Sequence, residues 1–303
     1  MAEITSLLEL RLAAVKNGPK RVAVVMAEDD IALQAAADAA ELGLAHPILI
    51  GDAKAIRERM SALGLTLLGE VAEIIHTAEP AAMAARMAGQ GAVDILLKGH
   101  LRSDELLHAV LDKNAGLRTG RLLSDILIYE DTLSGFRRLV GITDGGLVVA
   151  PNLEQKKQIV LNAIEVMHCL GFKRPKIALM SASEVVSDAM VSSTDARALT
   201  QMGKAGLYGD ADVFGPLALD NALLMSAAQA KGISNPVAGR ADCMVVPAIE
   251  AGNLLGKAAK YFTGSQCAHV VVGAKVPVLI PSRVESADDK INSIALGALH
   301  GAR

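Results

Sequence analysis

Short runs of consecutive apolar, often β-branched residues alternate along the chain with longer alanine-rich stretches. RVAVVM (21–26), PILI (47–50) and VDILL (93–97) are runs of the first kind. A run that is apolar throughout, rather than at every second position, predicts a strand covered on both faces. The same reading predicts strands at 139–143, 147–150, 176–180, 242–246, 269–272 and 276–280, and helices at 31–42 and 80–89. Strands alternating with helices imply βαβ units and largely parallel sheets, so the fold class expected is α/β. One helix start is explicit. Asn152 can cap it, with Gln155 three residues on completing a reciprocal pair. Ile159, Ala163, Ile164, Met167 and Leu170 then form a single apolar stripe, and Gly171 ends it.

No internal repeat, low-complexity tract or Pro/Gly/Ser-rich linker interrupts this pattern, so any division of the chain is expected at a short crossover. The Gly-Gly turn within 143–151 is the candidate break between two α/β domains.

Composition narrows the class. Of 303 residues 51% are hydrophobic, yet there are four Phe, three Tyr and no Trp, so the core must be aliphatic. Few aromatics also leave little stacking surface for single-stranded nucleic acid. A formal charge of −3 offers no global attraction to nucleic acid or an anionic membrane, and neither is expected as a partner. The opening MAEITSLLELRLAAVKNG carries Glu3, Glu9 and Arg11 where a secretory signal would be apolar. No run approaches the ~18 uninterrupted apolar residues of a membrane span. Cys169, Cys243 and Cys267 are far apart and odd in number, and the seven histidines show no ligand spacing. A cytoplasmic protein without a metal site is therefore expected.

The last quarter of the chain carries most of the candidate chemistry. Strand VLI is followed by Pro281-Ser282-Arg283, then Ser286, Asp288 and Asp289 where a helix would begin. Ligands of parallel sheets gather beyond the carboxyl ends of strands, and a helix N-terminus offers free N–H groups to an anion. An arginine can grip phosphate with two parallel hydrogen bonds, and a serine can add another. An N-cap followed by first-turn acids would produce the same pattern for structural reasons alone. Lesser candidates for substrate binding are Lys98 at the end of VDILL, Thr143, Asp144 and Gly145 in the glycine turn, and Asn253 with Lys257 on one helical face.

These elements together resemble the phosphate acetyltransferase and phosphate butyryltransferase family. NPVAG (235–239), EAGN (250–253) with Lys257, GAKVP (273–277) and SRVESADD (282–289) carry the likeness. So do LLKG (96–99), GITDGG (141–146), PNLEQK (151–156) and GPLALDNA (215–222), and the butyryl branch looks closer. The resemblance implies two α/β domains with an interdomain cleft, similar to isocitrate and isopropylmalate dehydrogenases. It also implies that the C-terminal segment returns to the first domain, giving residues 1–144 plus 273–303 and residues 145–272. By the same resemblance Ser282, Arg283 and Asp289 would be catalytic, with Asp288 an alternative base, and Ser286 would lie against substrate. The reaction implied is acyl-CoA plus inorganic phosphate giving acyl phosphate plus coenzyme A, for an acetyl or butyryl group. Coenzyme A is then a substrate, with no prosthetic group, and the enzyme a homodimer.

Two other readings compete. A nicotinamide-dependent dehydrogenase of related fold would need a nucleotide signature, but the first strand runs into Ala27-Glu28-Asp29-Asp30 instead of a glycine loop. A non-catalytic sensor of acyl-CoA or acyl phosphate would want Arg283 for binding but would not need Asp289.

Overall fold

The computed structural model describes residues 2–132, 137–282 and 285–301. The first stretch runs α1 (Leu7–Lys16), β1 (Lys20–Val25), α2 (Asp30–Glu41), β2 (Ala45–Gly51), α3 (Ala53–Ala62), α4 (Thr66–Val71), β3 (Glu73–His76), α5 (Pro80–Gly89), β4 (Ile95–Lys98) and α6 (Ser103–Val110). The middle holds β5 (Ser124–Asp131), β6 (Arg138–Thr143), α7 (Leu153–Cys169), β7 (Lys176–Met180), α8 (Val191–Lys204), β8 (Asp212–Leu217), α9 (Leu219–Leu223), α10 (Met225–Ala230), β9 (Cys243–Val245) and α11 (Ile249–Thr263). The chain closes with β10 (Cys267–Val272), β11 (Val278–Leu279) and α12 (Ala287–His300).

These elements form two compact units, residues 8–121 with 268–303, and residues 1–7 with 122–267. The first changeover falls before β5, ahead of the glycine turn where the sequence pattern suggested a break. Hydrogen bonding explains the difference. β5 pairs antiparallel with β6, and β6 pairs parallel with β9, so residues 124–143 belong with the later strands.

In the unit of residues 8–121 and 268–303, the strand order is β3-β2-β1-β4-β11-β10. All neighbours are parallel except β10 and β11. Register places Leu279 of β11 beside Leu97 of β4, so the two strands end side by side. Helix α12 packs on α2, β4 and β11. It is buried from Asp289 to Leu299, with Ile291, Ile294, Leu296 and Leu299 supplying apolar surface and hydrogen bonds accommodating Asn292 and Ser293. The middle unit has the order β5-β6-β9-β7-β8. Its core joins Leu127, Val140, Ile142, Leu217, Val237 and Met244 from both strands and loops.

Helices at 31–42 and 80–89 appear within a residue of expectation, as does the strand at 176–180. The Asn152–Gln155 capping box is complete, with both reciprocal hydrogen bonds present. The expected strand at 147–150 is not one. Asp144 Oδ1 accepts the N–H groups of Gly146 (2.9 Å) and Leu147 (2.7 Å), bending the chain into a turn, and Val149 is exposed. Apolar content there suggested a strand, but the side-chain acceptor two and three residues upstream prevailed. Strands β3, β5 and β8 were not anticipated. β3 is short and half-exposed, and β8 carries a Gly-Pro pair that reads as a turn.

Candidate functional site

The expected residues fall into two groups, one in each unit. In the first unit, β4 ends at Lys98 and β11 leads through Ile280 and Pro281 to Ser282. Parallel register brings these strand ends together, and Lys98 and Ser282 line one cavity of about 360 Å³ with Leu101, Arg102, Ser103 and Asp104. Lys98 is 5% exposed and its ammonium lies 3.5 Å from the Leu101 carbonyl. A cation held at the carboxyl edge of a parallel sheet suits an anionic ligand. Gly99 is required behind it, because a Cβ there would lie 2.3 Å from the Met26 carbonyl oxygen. Arg102, on the cavity rim, is forked onto Asp104.

Arg283 lies outside the described residues. Beyond it, Glu285 is buried and its N–H donates to the Ser282 carbonyl at 3.1 Å. Ser286 then caps α12 and forms a capping box with Asp289. Its hydroxyl donates to Asp289 Oδ2 (2.8 Å) and accepts from the Asp289 N–H (3.2 Å), while its own N–H donates to the same carboxylate at 3.1 Å. Both hydroxyl bonds of Ser286 thus lie within the cap. Asp288 and Asp289 point apart, as adjacent helical positions about 100° apart must. Asp289 is buried, whereas Asp288 is exposed and bonded to Arg11 of α1 at 2.8 Å.

The second group sits at the carboxyl ends of β6 and β9 in the middle unit. Thr143 is fully buried and its hydroxyl donates to the Asp125 carbonyl at 2.7 Å. Asp144 is also buried; besides the two turn N–H groups, it accepts the Asp125 N–H at 3.0 Å. Burial, with the Asp125 charge beside it, pushes Asp144 well above the usual carboxylate range. Gly145 lies against the start of α11, where a Cβ would be 2.7 Å from the Gly252 carbonyl carbon. Asn253 donates to the Gly145 carbonyl at 3.3 Å, and Lys257 is exposed one turn further along α11. Thr143, Asp144, Gly145 and Asn253 therefore come together, with Thr143 and Asp144 turned inward to build the turn.

Sequence reasoning missed Asp125 and Glu285. A carboxylate opening an apolar run was the available sign of Asp125. Glu285 lies inside the serine–arginine element, where a single acid between Val284 and Ser286 carries no local signal of burial. At the end of β1, the acids that argued against a dinucleotide have structural partners. Asp29 caps α2, and Glu28 accepts the Asp52 N–H.

The fold and the first group define an α/β protein with cationic and hydroxyl groups gathered at the carboxyl ends of parallel strands. The chain belongs to the family described as "Phosphate acetyl/butaryl transferase", which it matches over residues 6–81 and 69–298. It is 41% identical over 280 residues to a probable phosphate butyryltransferase of Bacillus subtilis, covering 91% of this chain and 92% of that protein. It is 37% identical to a phosphate acetyltransferase of Rhizobium meliloti, covering 96% and 92%. A branched-chain phosphotransacylase structure from Enterococcus faecalis superposes with a TM-score of 0.80 at 28% identity, covering 93% and 99%.

Proposed function

We propose that this protein is a phosphate acyltransferase exchanging a short acyl group, acetyl or butyryl, between coenzyme A and inorganic phosphate. Family membership and near-full-length relatives bearing both names support the reaction class. The observation that carries the site is the meeting of Lys98 and Ser282 in one cavity beside the capped start of α12.

In the direction of acyl-CoA formation, Asp289 takes the proton of the coenzyme A thiol. The thiolate attacks the acyl carbonyl, the C–S bond forms, and the carbonyl oxygen becomes an oxyanion that the Ser282 hydroxyl stabilises. Collapse breaks the bond to the phosphate oxygen and releases phosphate, which Arg283 and Lys98 hold in both directions. Thr143, Asp144, Gly145 and Asn253 are assigned to substrate binding through the turn they build, with Lys257 beside them. The isocitrate/isopropylmalate dehydrogenase-like two-domain arrangement with an interdomain cleft, the homodimer and the cytoplasmic location belong to this proposal. Among the described residues no helix is long and apolar enough to cross a membrane. The scheme uses coenzyme A as substrate and no prosthetic group.

The test is a coupled assay of coenzyme A release from acetyl-, propionyl- and butyryl-CoA, with and without phosphate. Phosphate-dependent release is expected, and Ser282→Ala is expected to lower kcat by roughly 10²-fold, the size of one lost oxyanion donor. Release independent of phosphate would overturn the reaction; unchanged kcat in Ser282→Ala would overturn the site.

A further inference from the structure

We infer that His269 and Glu285 form a positioning pair that holds Ser282 and the start of α12 in reactive geometry. The inference rests on the site assignment above.

Glu285 is 5% exposed, a rare state for a glutamate without a structural task. Its Oε1 lies 3.3 Å from Nε2 of His269 on β10, and both side chains are largely buried. Glu285 is also joined to the serine through the main chain, since its N–H donates to the Ser282 carbonyl. The side chain therefore ties Ser282, through Glu285, to a strand of the sheet. His269 makes a second tie. Its main-chain N–H donates to the Ser293 hydroxyl at 2.9 Å, and that hydroxyl donates to the Asp289 carbonyl at 2.8 Å. One residue of β10 thus holds Glu285, which is bonded to Ser282, and the Asp289 end of the first helical turn of α12, one point before the Ser286 cap and one after it. β11 is only two residues long, so the strand itself gives Ser282 little support.

This segment carries two groups that must meet one substrate, and a displacement near 1 Å can cost about 10²-fold in rate. A pair acting only through geometry should lower kcat and spare affinity for parts of the substrate bound elsewhere. Two residues acting as one device should also fail to multiply their losses.

The experiment is a kinetic double-mutant cycle on the full chain, using His269→Ala, Glu285→Ala and the double variant, with steady-state kcat, KM for coenzyme A and melting temperature. Each single change is expected to lower kcat by roughly 10–100-fold with KM for coenzyme A within about twofold, and the double variant to be no slower than the slower single. Glu285→Gln keeps an acceptor for the histidine and is expected to recover most of the loss. Lys156→Met, which removes a buried ion pair with Asp195 in the other unit, serves as a control that lowers the melting temperature and leaves kcat within about twofold. If an alanine variant fails to fold, His269→Leu and Glu285→Leu, which fill the buried space without the polar contact, complete the cycle with losses that still do not multiply. Near-normal kcat in both singles, multiplicative losses, or a kcat loss in the control as large as in the pair overturns the inference. If Ser282→Ala is silent, the site assignment fails instead, and with it the reason for positioning.

Discussion

At the scale of single residues, the decisive contrast is between Asp288 and Asp289. Asp288 turns out to Arg11 and is exposed, so Asp288→Asn should change turnover little. Asp289 faces inward and is assigned as the base. Asp289→Asn should lose about 10²-fold in turnover near neutral pH. The loss should shrink as pH rises toward the thiol pKa of about 8.5, because thiolate then forms unaided. If Asp289 served only the capping box, turnover would stay near normal and only stability would fall, by about 0.5–2 kcal/mol. Rate profiles across pH 6–8 with melting temperatures separate the two outcomes. A second carboxylate gives a prediction on stability. Burial pushes Asp242 up to about 6, although the Lys176 N–H donates to it at 2.8 Å. A raised folded-state value means the folded protein holds the proton more tightly than the unfolded one. The stabilisation is therefore present below about pH 4 and is lost as pH climbs through about 6. Asp242→Asn removes the titration, so melting temperature measured from pH 4 to 7 should fall less steeply with rising pH than in the wild type. Parallel curves would show that Asp242 does not contribute.

Among elements, α11 and the 143–147 turn depend on one another through glycine. A Cβ on Gly252 would lie 2.6 Å from Gly145 Cα and 2.7 Å from the Asp144 carbonyl oxygen, both main-chain atoms that cannot step aside cheaply. Gly252→Ala should cost about 1–3 kcal/mol, the usual penalty of forced overpacking, measurable as a shift in denaturant midpoint. It should also displace Asn253, and so raise KM for a substrate more than the same change at Gly256, whose Cβ would meet only the Leu127 side chain at 3.2 Å. Equal KM values in the two variants would separate Asn253 from binding. The helix starts at Asn152 and Ser286 are legible in the sequence, whereas the caps at Asp29 and Asp52 are not. The boxes at Asn152 and Ser286 are built from residues three apart, so their signal is wholly local. The turn after Thr143 was misread because its cause, an aspartate accepting from two downstream N–H groups, competes with strand formation without altering the apolar pattern.

For the whole molecule, the expected homodimer has a candidate face on α11. Leu254, Tyr261 and Phe262 are 70%, 57% and 89% exposed, and they lie seven and eight positions apart, on one side of a helix. Such a stripe is costly in water and suits a second copy of the chain. Light scattering should report about twice the 31.5 kDa chain mass at micromolar concentration, and Phe262→Glu should shift the distribution toward monomer. A wild-type monomer at that concentration would remove the dimer from the proposal.

The sequence alone determined the α/β class, most strand positions, the helices at 31–42, 80–89 and 152–170, the cap at Asn152 and the family, because each depends on residue types a few positions apart or on motifs read in order. The tertiary structure decided what the parallel pairings bring together. Lys98 and Ser282 line one cavity only because β4 and β11 run side by side. Asp125 reaches Asp144 only because β5 returns antiparallel to β6. Glu285 finds His269 across a connection that no local pattern encodes. The same pairings moved the boundary of the units ahead of the glycine turn. Hydrogen-bonded register between distant strands sets those neighbours, and register is settled by the packing of the whole sheet rather than by any one of its strands.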